Sequence, residues 1–394
     1  MATGTLQKNI PKGWGKKKIK DLLVFERPDN YIVKNSVHKN RGATPVLTAN
    51  KSFILGYTDE DFGIYKNTPA IIFDDFTTDS KYVDFPFKIK SSAIKILKNK
   101  DGDADIKYVY EVMKSIQFPI ANHKRHYISQ YQDQEIVVPS ISEQKKIAEI
   151  LANVDQEILN IEETILKTGE LKSGLMSELF SKGIGHKKFK KTEIGFLPEE
   201  WDVILLDSVS KRGSGHTPNK QHPEYWNGGI KWVSLSDSKK LDNRYIYETD
   251  KEISLEGIKK SSAVLHAKDT VIICRDAGIG KVAILGTDNM AVSQHFISWK
   301  CAERLNHLYL YYLLQSWKSK FERIATGTTI KTIGLSFFKE LLVPLAGIEE
   351  QEKIVNILWS VDEKIKILRE LKAKLSELKK GLMSDLLSGS VRVK

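Results

Sequence analysis

The sequence predicts an α+β chain assembled twice over. Two globular blocks, each a small twisted sheet with helices, are separated by two long helices. The long helices pack as an antiparallel intramolecular coiled coil, giving a pseudo-two-fold molecule. Three observations carry this expectation. Residues 144–181 (QKKIAEILANVDQEILNIEETILKTGELKSGLMSELFS) recur as residues 351–388 at an unbroken offset of 207. Upstream of each copy, Pro11-Lys-Gly-Trp14 with Ile19 and Leu22 reappears as Pro198-Glu-Glu-Trp201 with Leu206 and Val209, at an offset of 187. Finally, the repeated segments carry apolar residues at helical spacing, whereas the stretches between them hold short β-like runs.

Block one, residues 1–139, contains Phe53-Ile-Leu55, Ala70-Ile-Ile-Phe73 and Ser92-Ala-Ile-Lys-Ile-Leu97, then a helical pattern at Ile106, Val109, Tyr110 and Met113. Residues 140–183 form the first rod. Its Ile147, Leu151, Val154, Ile158, Ile161 and Ile165 fall at the 4-3-4-3-4 spacing of a heptad seam. A slip near Thr168-Gly169 hands the seam to Leu171, Leu175 and Leu179.

Block two, residues 184–344, has Ile230-Lys-Trp-Val233, Thr270-Val-Ile-Ile-Cys274, Lys281-Val-Ala-Ile-Leu285 and His295-Phe-Ile-Ser-Trp299. One helix then runs through Leu308, Tyr312, Leu313, Trp317, Phe321 and Ile324. The second rod, residues 345–394 with the tail, repeats the seam with Ile354, Leu358, Val361, Ile365 and Leu368. It then shifts at Lys372, so that Leu371 takes over before Leu375, Leu378, Leu382 and Leu386. Helices this long with a single apolar stripe need a partner in water. Each finds it in the other, and the competing arrangement is a coiled coil between separate chains.

Composition narrows the class. The 394 residues have room for two or three cores, and 41% hydrophobic content is ordinary for a globular protein. No run approaches ~18 apolar residues and the first residues, MATGTLQKNIPKGW, lack an apolar signal core, so a cytoplasmic chain with no membrane contact is expected. Cys274 and Cys301 read as buried, reduced thiols. The formal charge of +11 is uneven. Block one holds 22 Lys+Arg against 16 Asp+Glu and block two 24 against 18, whereas the first rod holds 5 against 8 and the second 10 against 8. Excess cation on the blocks suits a polyanion partner, since lysine and arginine displace counterions from phosphates.

The loops sharpen that reading. Arg212-Gly-Ser-Gly-His-Thr-Pro218 precedes Lys220, Tyr225 and Trp226, and Thr326-Gly-Thr-Thr-Ile-Lys331 precedes the last strand. Arg41-Gly-Ala-Thr-Pro45 and Lys124-Arg-His-Tyr127 lie at comparable places in block one. Glycine, hydroxyl and cation together allow close approach to phosphate and hydrogen bonds to base edges. By residue type and loop position, the candidate DNA contacts are Lys51, Lys81, Lys124, Arg125, His216, Thr217, Lys220, Trp226, Arg275, Gln294, Thr328 and Lys331. Gly278-Ile-Gly-Lys281 is not a phosphate loop, because Arg275 stands in place of the first glycine and Val282 in place of the hydroxyl. Asp74-Asp75 reads as a strand-end pair held by turn hydrogen bonds rather than as metal ligands. His123, His126 and His295 lack companions for a zinc site. No cofactor, metal or catalytic set is expected.

The opening Ser142-Glu-Gln-Lys-Lys-Ile147 of rod one, its echo Glu350-Gln-Glu-Lys-Ile354 and the paired Gly-Leu-Met-Ser endings resemble the specificity subunits of type I restriction–modification systems. So does the Thr192-Glu-Ile-Gly-Phe-Leu-Pro-Glu-Glu-Trp201 junction, and the likeness runs the length of the chain. The resemblance implies that the blocks are target-recognition domains, each reading one half of an asymmetric two-part site in double-stranded DNA. It implies that the rods set the gap between the halves and dock two modification (methyltransferase) subunits. Two restriction (ATP-dependent translocase and nuclease) subunits join these, and all covalent chemistry resides in the partners. Base-reading residues do not transfer from the family one by one. A nuclease with an unrecognised metal site and a protein- or glycan-binding adaptor using Trp226 and Trp232 are the rival classes.

Overall fold

In the computed structural model, residues 10–34, 39–50, 52–119, 125–327 and 331–393 are described. They form two compact units, Met1–Glu163 with Glu370–Lys394, and Thr164–Arg369.

Unit 1 begins with β1 (Gly15–Lys18), α1 (Ile19–Leu22) and β2 (Leu23–Glu26). There follow β3 (Thr44–Leu47), β4 (Ile54–Thr58), β5 (Ala70–Asp74), β6 (Ser80–Val83), β7 (Lys88–Ile89) and β8 (Ile94–Asn99). Helix α2 (Ile106–Ser115), β9 (Glu135–Val138) and the first half of α3 (Ile141–Lys182) complete the first repeat. The sheet order is β2-β8-β5-β6, beside a smaller β4-β3-β7 sheet and a β1-β9 pair. β5 is buried along its whole length, as a central strand with the unbroken apolar run Ala-Ile-Ile-Phe should be. Asp105 starts α2 by accepting from the Tyr108 amide at 2.9 Å.

Unit 2 repeats this order with additions. It comprises the hairpin β10 (Phe189–Thr192) and β11 (Gly195–Pro198), then β12 (Asp202–Leu205), β13 (Ser210–Ser214), β14 (Trp226–Val233), β15 (Tyr245–Ile246) and β16 (Glu252–Ile253). Next come α4 (Leu255–Lys259), β17 (Thr270–Cys274), β18 (Val282–Leu285), β19 (Ala291–Val292) and β20 (Phe296–Cys301). The unit closes with α5 (His307–Ser316), α6 (Lys318–Ile324), α7 (Leu335–Lys339), β21 (Leu342–Leu345) and the start of α8 (Ile348–Ser388). Its main sheet, β13-β20-β17-β18-β15, has the same strand sequence as its counterpart, with β15 added at the edge. The single helix expected over Leu308–Ile324 is two. The amide of Trp317 turns to the Leu314 carbonyl at 3.2 Å, and that tightened turn ends α5 before α6 begins.

The long helices pack together antiparallel, 42 and 41 residues in length. In unit 1, Lys379 pairs with Asp155 and Lys372 with Glu162 at 2.6 Å; in unit 2, Lys172 pairs with Asp362 at 2.7 Å. Ile147, Leu151, Ile161, Ile354 and Leu358 are buried, and Val154, Ile158, Ile165, Val361, Ile365, Leu368 and Leu375 are half-buried. The expected slips in the seam do not occur. Leu171, Leu371 and Leu378 are exposed at 57, 43 and 52%. The 4-3 spacing continues unbroken through Thr168, Lys172 and Leu175 on α3, and through Lys372, Leu375 and Lys379 on α8. A lysine can occupy a seam position because its stem packs like an aliphatic chain while the ammonium reaches a carboxylate.

Each repeat is closed by the same clasp. In unit 1 the indole N–H of Trp14 donates to Glu143 at 3.2 Å, and Arg392 grips that carboxylate through two N–H groups at 2.7 and 2.8 Å. In unit 2 Trp201 donates to Glu350 at 2.8 Å, and His186 meets the same carboxylate at 2.9 Å. The neighbouring glutamines repeat as well. Gln144 accepts the Asp105 amide and donates to the Pro139 carbonyl; Gln351 accepts the Asn306 amide and donates to the Ala346 and Arg304 carbonyls. Thus the conserved spacing of the internal repeat is the spacing of a buried polar bracket that ties sheet, loop and long helix into one body.

Candidate nucleic-acid interface

Strand direction gathers the loops of unit 2. β13 and β17 both run antiparallel to β20, with Ser214 opposite Ile297 and Cys274 opposite Phe296. The residues after β13, the residues after β17 and those before β20 therefore emerge at one end of the sheet. The segment following α6 folds back to the same place, where the Ile333 amide donates to the Arg275 carbonyl at 2.8 Å. His216, Thr217, Lys220, Arg275, Gln294 and Lys331 are thereby brought to one end of one sheet, although 115 sequence positions separate the outermost two.

Internal bonds hold these loops in shape. The His216 amide donates to the Val292 carbonyl at 3.1 Å, and the Trp232 indole donates to the His216 carbonyl at 3.0 Å. A Cβ on Gly215 would lie 2.1 Å from the Val292 carbonyl oxygen, so no other residue allows this approach. Thr217 donates to the Gln294 side-chain carbonyl, and the amide of the exposed Gln294 meets the His295 ring at 3.5 Å. Lys220 and Lys331 are exposed. Lys331, Lys318 and Lys281 surround a cleft of about 410 Å³ that also takes in Asp276, Gly278 and Glu322.

Two candidates have an internal task. The Arg275 side chain donates from Nε to the Ile333 carbonyl at 3.0 Å, which locks the returning segment. Trp226 is half-buried, edge-to-face on Trp232 at 5.2 Å, and its indole N–H reaches the Asn219 carbonyl at 3.3 Å. It braces the loop bearing His216 and Lys220 rather than offering an open face.

In unit 1, β5 and β2 likewise run antiparallel to β8, with Asp74 opposite Ile94 and Glu26 opposite Ile96. Asp74 accepts from the amides of Phe76 and Thr77 at 2.9 and 3.0 Å, the turn role expected for it. Asp75 is buried against Lys95 at 3.5 Å and accepts the Tyr127 amide at 2.9 Å. This anchors the exposed Arg125 at the same end of the sheet. Lys81 sits instead in the middle of edge strand β6, opposite Ile72, and is not brought to that end. Lys51, Lys124 and Thr328 lie outside the described residues.

Sequence reading missed the Phe76-Thr77-Thr78 turn, with Phe76 exposed and Thr78 at a positive φ of 61°. It also missed the bond between His295 and Asp276 at 2.5 Å. The first could have been found by aligning the strand ends of the two repeats. The second joins loops from different strands and leaves no sequence signal. Burial alone pushes His266, behind β20, down to about 4, so this ring is neutral and no phosphate partner. Among the described residues no cluster of His, Cys, Asp or Glu could hold a metal ion, and no helix is long and apolar enough to cross a membrane.

Comparison with known proteins agrees with this duplicated plan. A family model described as "Type I restriction modification DNA specificity domain" matches residues 11–169 and again 198–377. The chain is 32% identical over 361 residues to the EcoR124I/EcoR124II specificity subunit of Escherichia coli, covering 87% of this chain and 85% of that one. It is 27% identical over 417 residues to a Methanocaldococcus jannaschii protein described as a putative MjaX specificity subunit, covering 98 and 95%. The fold is shared with the S subunit of a type I system from M. genitalium, at a TM-score of 0.61, 16% identity and 98% coverage of both chains.

Proposed function

This chain belongs to the family of type I restriction–modification specificity subunits, and from that premise we propose that it reads a two-part site in double-stranded DNA. Specificity subunits are the non-catalytic members of these systems. Residues 1–139 and 184–344 are the two target-recognition domains, each reading one half of an asymmetric site. Residues 140–183 and 345–394 are the spacer that fixes the gap. Two modification subunits dock on the spacer, and two restriction subunits complete the assembly.

One observation carries the reading. The same strand order occurs twice, each time gathering polar and cationic loops to one end of a sheet, while the loops themselves differ between the repeats. A shared scaffold with divergent loops is what two different half-sites require. The readers in unit 2 are His216, Thr217, Lys220, Gln294 and Lys331, with Arg275 and Trp226 supporting them; in unit 1 Arg125 stands at the reading end. The lysines engage phosphate, and the exposed Gln294, a carboxamide, is of the type that pairs with the N6 and N7 edge of adenine.

The test is methylation of a library of duplexes by the chain with its modification subunits. Both half-sites vary in sequence and the gap varies by single base pairs. Methylation restricted to one pair of half-sites at one gap is expected. Equal modification across all gaps would overturn the spacer role.

A further inference from the structure

Polar residues interrupt the seam of the long helices at Thr168, Lys172, Lys372 and Lys379, and two of them sit at junctions that the apolar pattern does not call for. Lys172 and Lys379 stand at seam positions of α3 and α8, and one step of 207 residues carries each of them, and Asp155 to Asp362, onto its counterpart. In unit 1, Lys379 meets Asp155 across the helix pair, and in unit 2, Lys172 meets Asp362. Each aspartate lies beside a valine of its own seam, Val154 or Val361. Each also reaches a third element, the helix of its own globular block. Asp155 is met by Lys114 of α2 at 3.6 Å, and Lys379 by Glu111 of α2 at 3.6 Å. Asp362 accepts from the Tyr312 hydroxyl of α5 at 2.8 Å, and Lys172 donates to Gln315 of α5 at 3.1 Å.

The third-element positions also correspond. Glu111 and Lys114 occupy on α2 the places that Tyr312 and Gln315 occupy on α5, at one offset of 201. The spacer half of the junction is therefore the same in both repeats, and the block half is different. Unit 2 adds Arg244, which reaches Asp362 at 3.0 Å and stacks its guanidinium 3.5 Å from the Trp359 ring centre.

A charged group in an apolar seam costs more to desolvate than its pairing returns, so leucine at these positions would bind the helices at least as tightly. What a paired polar seam residue supplies is register, because a shift of one turn leaves its charge facing hydrocarbon. Here the crossings keep step. From Asp155 to Glu162 on α3, their partners recede from Lys379 to Lys372 on α8 by the same seven residues.

We propose that Asp155 with Lys379, and Asp362 with Lys172, are positioning residues that lock the register of the spacer and key each globular block to it. They thereby determine how sharply the gap between half-sites is measured. The proposal rests on the spacer reading above. Their effect is on spacing and not on base reading. Consistent with a filled junction, Asp362 stays below the usual carboxylate range despite its burial, because Lys172, Tyr312 and Arg244 outweigh the desolvation.

The experiment replaces both junctions by apolar and neutral groups, in the chain carrying Lys172→Leu, Lys379→Leu, Asp155→Asn and Asp362→Asn. The assembled complex with its modification subunits is assayed on duplexes whose gap is the preferred one or one base pair longer or shorter. The expected result is that the complex still assembles while discrimination between the preferred gap and its neighbours falls at least tenfold. An unchanged gap profile would overturn the proposal; a purely structural role would lower stability and leave the profile alone. Should the unaltered chain itself show no gap preference, the spacer reading fails, and register is then read directly. Glu162→Cys is combined with Lys372→Cys, in register, or with Ser376→Cys, one turn out. Crosslinking of only the first pair in the unaltered background and of both pairs in the four-fold variant supports the lock. Only the first pair in both backgrounds overturns it.

Discussion

Glu143 shows how much a single carboxylate organises. It receives the Trp14 indole, both nitrogens of the Arg392 fork and the Val393 amide. The Arg392 guanidinium holds its carboxyl below the usual value of 4.5. A group with a depressed folded-state pKa contributes stability that is complete above the unfolded value and vanishes as pH falls through the folded one. Glu143→Gln should therefore lower stability at pH 7 by about 1–2 kcal/mol, because a charge-assisted pair is replaced by neutral bonds. The deficit should shrink steadily below pH 4.5, as the unaltered carboxylate is itself protonated. Chemical denaturation at a series of pH values measures both. At the interface, Lys220→Ala and Lys331→Ala should each weaken DNA binding for all sequences alike and reduce the salt slope by about one. Gln294→Ala should relax base preference at one position with little change in that slope. Binding titrations across salt concentrations, repeated on single-base variants of the site, separate the two behaviours.

At the scale of elements, what was legible in the sequence follows from burial. Strands β5, β17 and β18 are buried throughout, so their aliphatic runs stand out with no help from context. β1, with the sequence Gly-Lys-Lys-Lys, and β13, with Ser-Lys-Arg-Gly-Ser, have no apolar signal. They exist because β9 and β20 supply a hydrogen-bonding edge from more than 80 residues away. The rods were legible for the opposite reason, since a long one-sided stripe has few alternatives. Their seam lysines were not, because a lysine at helical spacing looks like a surface residue until its carboxylate partner is in place. The interface was half legible: residue types marked the loops, and only strand direction showed which of them share a sheet end. The polar bracket gives a direct test of element docking. Gln351 is fully buried and satisfies one amide and two carbonyls of its surroundings. Gln351→Ala leaves these groups unpaired, at about 1–3 kcal/mol for each buried group left without a partner. The melting temperature of the purified chain should fall by several degrees, and Gln351→Glu should not restore it.

For the molecule as a whole, duplication separates measuring from reading. Seven residues inserted into both long helices at matched seam positions lengthen the spacer by about 10 Å, at 1.5 Å per residue. With a base-pair rise near 3.4 Å, this predicts a preferred gap about three base pairs longer and unchanged half-sites. Insertion into one helix only should abolish binding, since the seam would then be out of step with itself. Methylation of a gap library decides between these results.

Cys274 is shielded within β17, and burial lifts its thiol to about 11 and that of Cys301 to about 12. Both sulfurs are thus nearly inert to maleimides in neutral buffer. A fluorophore or spin label can be attached at one chosen surface site while the native thiols stay in place, so conformational motion can be followed in an otherwise unaltered polypeptide.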